Sequence, residues 1–327
     1  MSRILLVGCG QLGSRHLQAV ASLPQITEIE VVDPRPEALV LGRQRLAEVS
    51  LQVPRTVFRW LRSLEEAQTG GDLCIVATQA EGRCEQIKAV AEKRGYSRFL
   101  VEKIVGQSVE EMEDLIQFCG LRGLSVWVNL KTRALPIHLQ VKAKLIHGEP
   151  ILFTVVGGNL GLANNGVHMA DLFAFYDETD EMECTGAVID PALHPSKRGR
   201  NIFDLSGALQ ARTDNGSRFS LTYAKEGEVL ELVSLVTSER RFLIDHFSRW
   251  AVESERSNGW AWQPIPFEGE PRVSHMTKGF VLDILMKGRC LLPTLEEAMI
   301  GHRFILDALR PHFSRLLEKE LKLCPVT

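Results

Sequence analysis

"VGCGQLGSRH", residues 7–16, decides how this chain reads. Gly8, Gly10 and Gly13 stand in the spacing G-x-G-x-x-G. The run before them, "RILLVG" (3–8), is short, apolar and ends in glycine, which reads as a strand. The run after them, "LGSRHLQAVASL" (12–23), carries helical spacing. "EIEVVD" (28–33) is the next strand and ends on an acid, Asp33. Between a strand and a helix, the first glycine permits the tight turn. The second lets backbone approach a pyrophosphate, and the third packs the helix on the strand.

That context predicts a dinucleotide site formed by Gly8, Gly10, Gln11, Leu12 and Gly13, with amides at the helix N-terminus facing the phosphates. Asp33 would accept hydrogen bonds from the adenine-ribose hydroxyls and repel a 2′-phosphate, which favours NAD. Arg35, two residues on, can pair with such a phosphate and leaves NADP open.

Further outward the alternation continues. "RPEALVLGRQRLAEV" reads as a helix with Pro36 in its first turn, "TVF" as a strand, and "DLCIVAT" (72–78) as a strand apolar throughout, as when both faces are covered. "GRCEQIKAVAEKRG" is a helix closed by Gly95, "RFLVEK" a strand, "SVEEMEDLIQFCG" a helix opened by Ser108, and "LSVWVN" a strand. Repeated β-α-β units predict a doubly wound parallel sheet, a Rossmann fold, over residues 1–123. After a helix near 134–147 the pattern changes. "ILFTVVGG", "TGAVID", "FDLSGALQAR", "SRFSLTYA" and "VLELVSLVTSERRFLID" are strands between Gly and Asn turns. Residues 124–327 are therefore expected to form an α/β domain on a large, open, mainly antiparallel sheet. It closes with two helices, near 274–288 and 294–320, that can pack back on the first domain.

Bulk properties narrow the function classes. A chain of 327 residues exceeds one ordinary core, so two domains are expected. A net charge of −3 without a basic block argues against nucleic acid and anionic membranes. No apolar run approaches the ~18 residues of a membrane-spanning helix. Seven scattered cysteines, with no C-x-x-C pair, point to a reducing, cytoplasmic setting. Zinc-enzyme ligand sets are not present in the sequence, so no metal is expected. Tyr-x-x-x-Lys fails too: Leu100, Asp180 and Gly227 follow the three tyrosines at that spacing.

In open α/β sheets, ligands sit beyond the carboxyl ends of strands. "ATQAEG" and "VEKIVG" occupy that rim. Ala77, Thr78, Gln79 and Glu81 are candidates to line the cofactor, or else plain turn residues. Lys103 is a candidate for proton transfer or for polarising a carbonyl, with Glu102 orienting it. Asn129, Lys131 and Arg133 follow strand six and suit an anionic substrate group, or a solvated helix start. His168 reads either as a satisfied core histidine or as a site residue; helical spacing puts residues 164, 168 and 171 on one face.

In this order, "VGCGQLGSRH", "VVDPRPEAL", "CIVATQAEG", "FLVEKIVG", "VWVNLKTRALP" and "NNGVHMADLF" resemble the Gfo/Idh/MocA oxidoreductases, the glucose–fructose oxidoreductase and inositol dehydrogenase family. The resemblance spans nearly the whole chain. It implies a Rossmann domain followed by an open-sheet domain, often assembled as a homodimer or homotetramer through that sheet. It further implies hydride transfer between NAD(P) and a hydroxyl carbon of a sugar, polyol, sugar nucleotide or related compound. Lys103 and His168 would then be catalytic, and Asn164 and Asn165 would be substrate contacts. Asp171 would orient the imidazole or anchor its helix. Three departures stand out. Ile104 replaces the proline of Glu-Lys-Pro, Gln79 replaces a proline, and Asn164 replaces the acid of Asp-x-x-x-His. An asparagine carries no charge to offset a histidinium. The alternative is a catalytically silent member that binds dinucleotide or sugar.

Overall fold

The structure, a computed structural model, describes residues 2–49, 56–196, 199, 201–268 and 272–327. The chain divides into two compact units. The first comprises Met1–Gly106, Glu110–Lys131 and Glu270–Glu296; the second comprises Gln107–Val109, Thr132–Gly269 and Glu297–Thr327.

In the first unit, strands β1 (Ser2–Val7), β2 (Ile26–Val32), β3 (Val57–Leu61), β4 (Leu73–Val76), β5 (Arg98–Val101) and β6 (Ser125–Val128) alternate with helices α1 (Gly13–Ala21), α2 (Pro36–Ala47), α3 (Arg83–Arg94) and α4 (Val109–Arg122). The strands form one parallel sheet in the order β3-β2-β1-β4-β5-β6. The order reverses at β1, between β2 and β4, where such folds open a ligand crevice. The centre of the sheet is β1 and β4, whose residues Ile4–Leu6 and Leu73–Val76 are fully enclosed. That is why they read as unbroken apolar runs.

The boundary expected at 123/124 is displaced to Lys131/Thr132, because β6 pairs with β5 and extends the first sheet. A helix at Val273–Lys287 also belongs to this unit.

The second unit contains α5 (Pro136–Lys142), β7 (Leu152–Gly158), α6 (Leu162–Asp177), β8 (Glu183–Ile189), β9 (His194–Pro195), β10 (Phe203–Asp204), β11 (Gly207–Arg212), β12 (Arg218–Ala224), β13 (Leu232–Val236), β14 (Arg240–Asp245), β15 (Trp250–Glu255) and β16 (Gln263–Pro264). Numbering continues with α7 (Val273–Lys287) in the first unit and α8 (Leu295–Leu316). Eight of these strands form a sheet in the order β16-β15-β14-β13-β7-β12-β11-β8. Only the β7–β12 pairing is parallel among the described strands of this sheet. Strand β7 alternates over residues 152–156, with Phe153 and Val155 buried and Leu152, Thr154 and Val156 exposed, so one face is covered there. The covered face carries stacked Phe153 and Phe219, with Phe173 of α6 and Phe304 of α8 against Phe219. Gly166 lets α6 lie this close: a Cβ there would meet Leu221 at 2.9 Å and Ile305 at 3.0 Å.

Helix α5 is shorter than the expected 134–147, because residues Lys131–Ala134 form a separate 3-10 turn and Pro136 opens the helix. The strand at "VLELVSLVTSERRFLID" divides into the hairpin β13–β14. Strands β15 and β16 carry no sharp alternation and were not expected. Among the described residues, no helix is long and apolar enough to cross a membrane.

Buried in this unit is a chain of titratable groups. His138 Nδ1 lies 2.6 Å from the Tyr176 hydroxyl and its Nε2 lies 2.6 Å from His246 Nε2; His246 Nδ1 lies 2.6 Å from Glu231. Burial, then the charge of His246, hold His138 well below the ordinary imidazole range. The unfolded chain therefore binds more protons than the native state once pH falls below the unfolded value of about 6.5. Stability is expected to drop as pH falls through that value, with a shallower slope in His138→Gln; urea unfolding at several pH values reads both.

Candidate active site

The three fingerprint glycines have different jobs. Gly8 has φ +88°, and a Cβ on it would lie 2.9 Å from the carbonyl of Ala77, so turn and packing both demand glycine. A Cβ on Gly13 would stand 1.9 Å from the Gly8 oxygen, so α1 can reach β1 only without one. Gly10 differs. Among the described residues, its Cβ would meet only the end of the Arg35 side chain, at 3.5 Å. Nothing in the packing of the described residues asks for glycine there.

Beside this turn is a cavity of about 480 Å³, lined by Gly8, Asp33, Arg35, Leu64, Thr78 and Gln79, with Arg62, Gln86 and Val90 among its other walls. Thr78 and Gln79, expected along the cofactor, both line this cavity. Ala77 packs under Gly8, whereas Glu81 is exposed and outside the lining. Exposed Gln11 is held by Arg45, which reaches its carbonyl at 2.5 Å, and Leu12 caps α1 without a side-chain bond. The walls from Arg62 to Leu64 and from α3 escaped sequence reading, since neither carries a motif.

Asp33 is buried at the end of β2, accepting bonds from Cys9 N at 2.8 Å and from Arg35 N, Nε and Nη2 at 3.0, 3.1 and 3.0 Å. Burial acts to raise its pKa, but the Arg35 and Cys9 hydrogen bonds win and hold it below the usual carboxylate range. The Arg35 side chain is 57% exposed, while the Asp33 carboxylate it pairs with is 2% exposed.

Lys103 follows β5, buried, on a segment fixed from two sides. The Arg83 guanidinium, 2% exposed, donates to the carbonyls of Glu102 (2.7 Å), Ile104 and Thr78. The Lys103–Ile104 peptide is cis, although isoleucine stands in the place of proline. Glu102 Oε1 accepts from His16 Nε2 at 2.8 Å and from Asn129 Nδ2 at 2.6 Å. Burial opposes its ionisation, yet the bond and the charge of His16, then the Asn129 bond and the charge of Lys103, bring its pKa down to about 2. Asn129, expected to contact substrate, therefore holds Glu102.

The second unit presents α6. Its first turn has no cap from Gly161; instead Asp204 of β10 accepts from Ala163 N at 2.8 Å and from Asn164 N at 3.3 Å. Asp204 Oδ2 also accepts from the Asn164 amide at 2.6 Å, while Asn164 Oδ1 accepts from Thr327 N at 3.2 Å. A carboxylate does stand beside position 164, supplied from forty residues away. Desolvation outweighs these bonds and raises the Asp204 pKa. A polar cavity of about 450 Å³ opens here, lined by Asn159, Asn164, Asn165, His194, Asp204 and Lys225 among others.

His168 is half-buried one turn further along α6. Asp171 is fully buried and takes Arg133 as a bidentate partner, Nε–Oδ2 2.9 Å and Nη2–Oδ1 2.7 Å. Arg133, expected at an anionic substrate group, and Asp171, expected to orient the imidazole or anchor its helix, thus engage each other and tie the turn after β6 to α6. Lys131, half-buried, opens that turn.

No family model matches the sequence, and no curated protein matches it. Solved structures do. An oxidoreductase from Agrobacterium radiobacter, in complex with NAD+, L-tartaric acid and magnesium, is similar with a TM-score of 0.72 at 13% identity, over 93% of this chain and 94% of that one. UDP-N-acetylglucosamine 3-dehydrogenase GnnA from Acidithiobacillus ferrooxidans gives 0.70 at 15%, over 94% and 95%. A Gfo/Idh/MocA family oxidoreductase from Vibrio cholerae gives 0.68 at 17%, over 98% of this chain and 100% of that one. At these identities the likeness establishes one thing: over nearly its whole length, this chain has the α/β fold of those oxidoreductases.

Proposed function

We propose that this chain is a nicotinamide-dependent oxidoreductase of the Gfo/Idh/MocA family. It would move hydride between NAD(P) and the hydroxyl-bearing carbon of a sugar, sugar nucleotide, polyol or sugar acid. One observation carries the reading most of the way: Gly10 is a glycine that packing does not require, beside a cavity that ends on a buried Asp33. The names of the similar structures and the order of the sequence motifs add to it.

Gly8–Gly13 and Asp33 hold the dinucleotide in this reading, with Thr78 and Gln79 along it. A bound nicotinamide supplies or accepts the hydride. Lys103 stabilises negative charge developing on the substrate oxygen, and His168 exchanges the hydroxyl proton. Asn165 and Lys131 contact the substrate. Asn129, Asn164, Arg133 and Asp171 act one step removed, through Glu102, Asp204 and each other. A panel of sugars, polyols, sugar acids and nucleotide sugars, followed by the near-ultraviolet absorbance of reduced nicotinamide, tests the activity. Nucleotide binding with no turnover on any class would favour a silent binding member instead.

NAD is the cofactor we favour, since Asp33 is the group that reaches the ribose hydroxyls. Arg35→Ala frees its oxygens, and calorimetry is expected to show NAD+ binding tightened by about two- to fivefold. NADP+ binding, which only Arg35 would support against the Asp33 charge, is expected to weaken at least about tenfold. Equal losses for both would remove Asp33 from the ribose site. The exposed apolar residues Leu152 and Val156 on the uncovered face of β7 support a homodimer or homotetramer through this sheet. Five of the seven cysteines, Cys9, Cys74, Cys84, Cys119 and Cys324, are buried free thiols, which fits a cytoplasmic protein.

A further inference from the structure

The cavity beside the glycine turn has walls that neither phosphates nor ribose hydroxyls account for. Leu64 supplies one of them, and Gln86, Ala89 and Val90 of α3 supply another. The three helix residues are three and four apart, so they share one face. Both walls are held in place by their own contacts. Ser63 and Glu66 form a capping box around Leu64, with Glu66 accepting from Ser63 N at 2.9 Å and from Arg62 N at 3.1 Å. Arg83, one turn before Gln86, ties the start of α3 to the carbonyl of Thr78.

Gln86 interrupts this apolar face with an amide. The residue is half-buried, and its Oε1 is shut off from solvent with no hydrogen-bond partner among the described residues. A buried acceptor that meets no donor is destabilising, and such atoms are rare in folded proteins. The last torsion of glutamine is broad and two-fold, so this oxygen can turn toward the cavity at small cost.

Apolar walls suit the faces of a flat heteroaromatic ring, and a few placed polar groups fix its orientation. A carboxamide at the edge suits a ring that carries a donor next to an acceptor. Adenine carries that pair: its N6 amino group donates and the neighbouring ring nitrogen accepts. We propose that Gln86 is a specificity-determining residue that reads the adenine of the dinucleotide. Its Oε1 accepts from the N6 amino group, and the ring lies along Leu64, Ala89 and Val90. This rests on the nicotinamide-dinucleotide reading and adds to it the residue that selects the base. Glu65 also borders the cavity, but its carboxylate is 65% exposed and 3.7 Å from Lys93. A hydrogen bond from the base would there only replace one from water.

Calorimetry of NAD+ against an analogue with purine in place of adenine, which lacks only the amino group, tests the proposal. Wild type is expected to prefer NAD+ by about threefold to tenfold, the worth of one buried neutral hydrogen bond. In Gln86→Leu the preference should fall to within about twofold, with NAD+ affinity reduced at least about threefold. Gln86→Glu keeps an acceptor for the amino group in either protonation state, and should keep the preference. Thermal stability of Gln86→Leu without ligand should not fall, since leucine is a strong helix former and the unpaired acceptor is gone.

A preference as large in Gln86→Leu as in wild type overturns the proposal, as does a wild type that binds both dinucleotides alike. Both outcomes leave the dinucleotide reading standing. A wild type that binds neither dinucleotide overturns that reading and the proposal with it. Should Gln86→Leu fail to fold, Gln86→Met makes the same comparison with the same expected loss of preference.

Discussion

Lys103→Met lowers turnover by about two to four orders of magnitude, with cofactor Kd unchanged within about twofold. Methionine keeps the length of the side chain and removes both its charge and its donors. The segment itself should hold, because Arg83 grips the backbone carbonyls of Glu102 and Ile104 and not the lysine side chain. The loss should fall on kcat more than on KM, since an interaction with developing oxyanion charge exists only in the transition state. Lys103→Arg is expected to recover part of the rate: the cation remains, but a planar fork replaces a compact ammonium. Turnover of Lys103→Met close to wild type would remove Lys103 from the reaction.

Arg133→Met is the largest expected loss of stability, about 3–5 kcal/mol near neutral pH. The guanidinium is 8% exposed and the Asp171 carboxylate 0%, so removing one partner strands a charge where water cannot reach it. Even with Arg133 present, burial pushes the Asp171 pKa up to about 6. Without Arg133 the carboxyl escapes its penalty by taking a proton. Its native pKa then lies further above the unfolded value of about 3.9, so the native variant binds the extra proton and its stability falls as pH rises. The deficit should therefore be largest at alkaline pH and shrink toward acid. Arg133→Met with Asp171→Leu should recover much of it, because an apolar pair of similar volume has no charge to bury. Urea unfolding of the single and double variants across pH reads all three statements. Equal losses in both would mean that packing of Arg133 over Phe175, with a 5.1 Å separation, matters more than the charge.

What the sequence disclosed was local or periodic. The fingerprint, the acid closing β2 and the alternation of strand and helix each lie within one window, and the first unit could be read almost strand by strand. The second sheet was legible as a type and not in detail: β15 and β16 lack a period-2 pattern, and the parallel β7–β12 pairing joins strands 66 residues apart. The contacts that position the candidate residues had no local signature at all. Glu102 and His16 are 86 residues apart, Asn164 and Asp204 are 40 apart, and Arg133 and Asp171 are 38 apart. Polar residues on one rim or one helix face read alike from sequence whether they meet a ligand or each other. Asn129, Arg133, Asn164 and Asp171 meet protein groups. One signal was available: α6 begins at Gly161 with no capping side chain of its own, which calls for an acceptor from elsewhere. A Cβ at Gly161 would stand 1.8 Å from the Asp204 carboxylate that answers it.

In the proposed reading, Gly10 is kept open for a nicotinamide dinucleotide. Calorimetric titration of NADH and NADPH into wild type and Gly10→Ala decides this. A Cβ at position 10 fits the folded protein, so alanine there should leave thermal stability nearly unchanged while affinity falls at least about tenfold, a cost of about 1.4 kcal/mol or more for crowding the pyrophosphate. Absence of binding by the wild type, or equal binding by Gly10→Ala, would show that position 10 is not open for a nicotinamide dinucleotide.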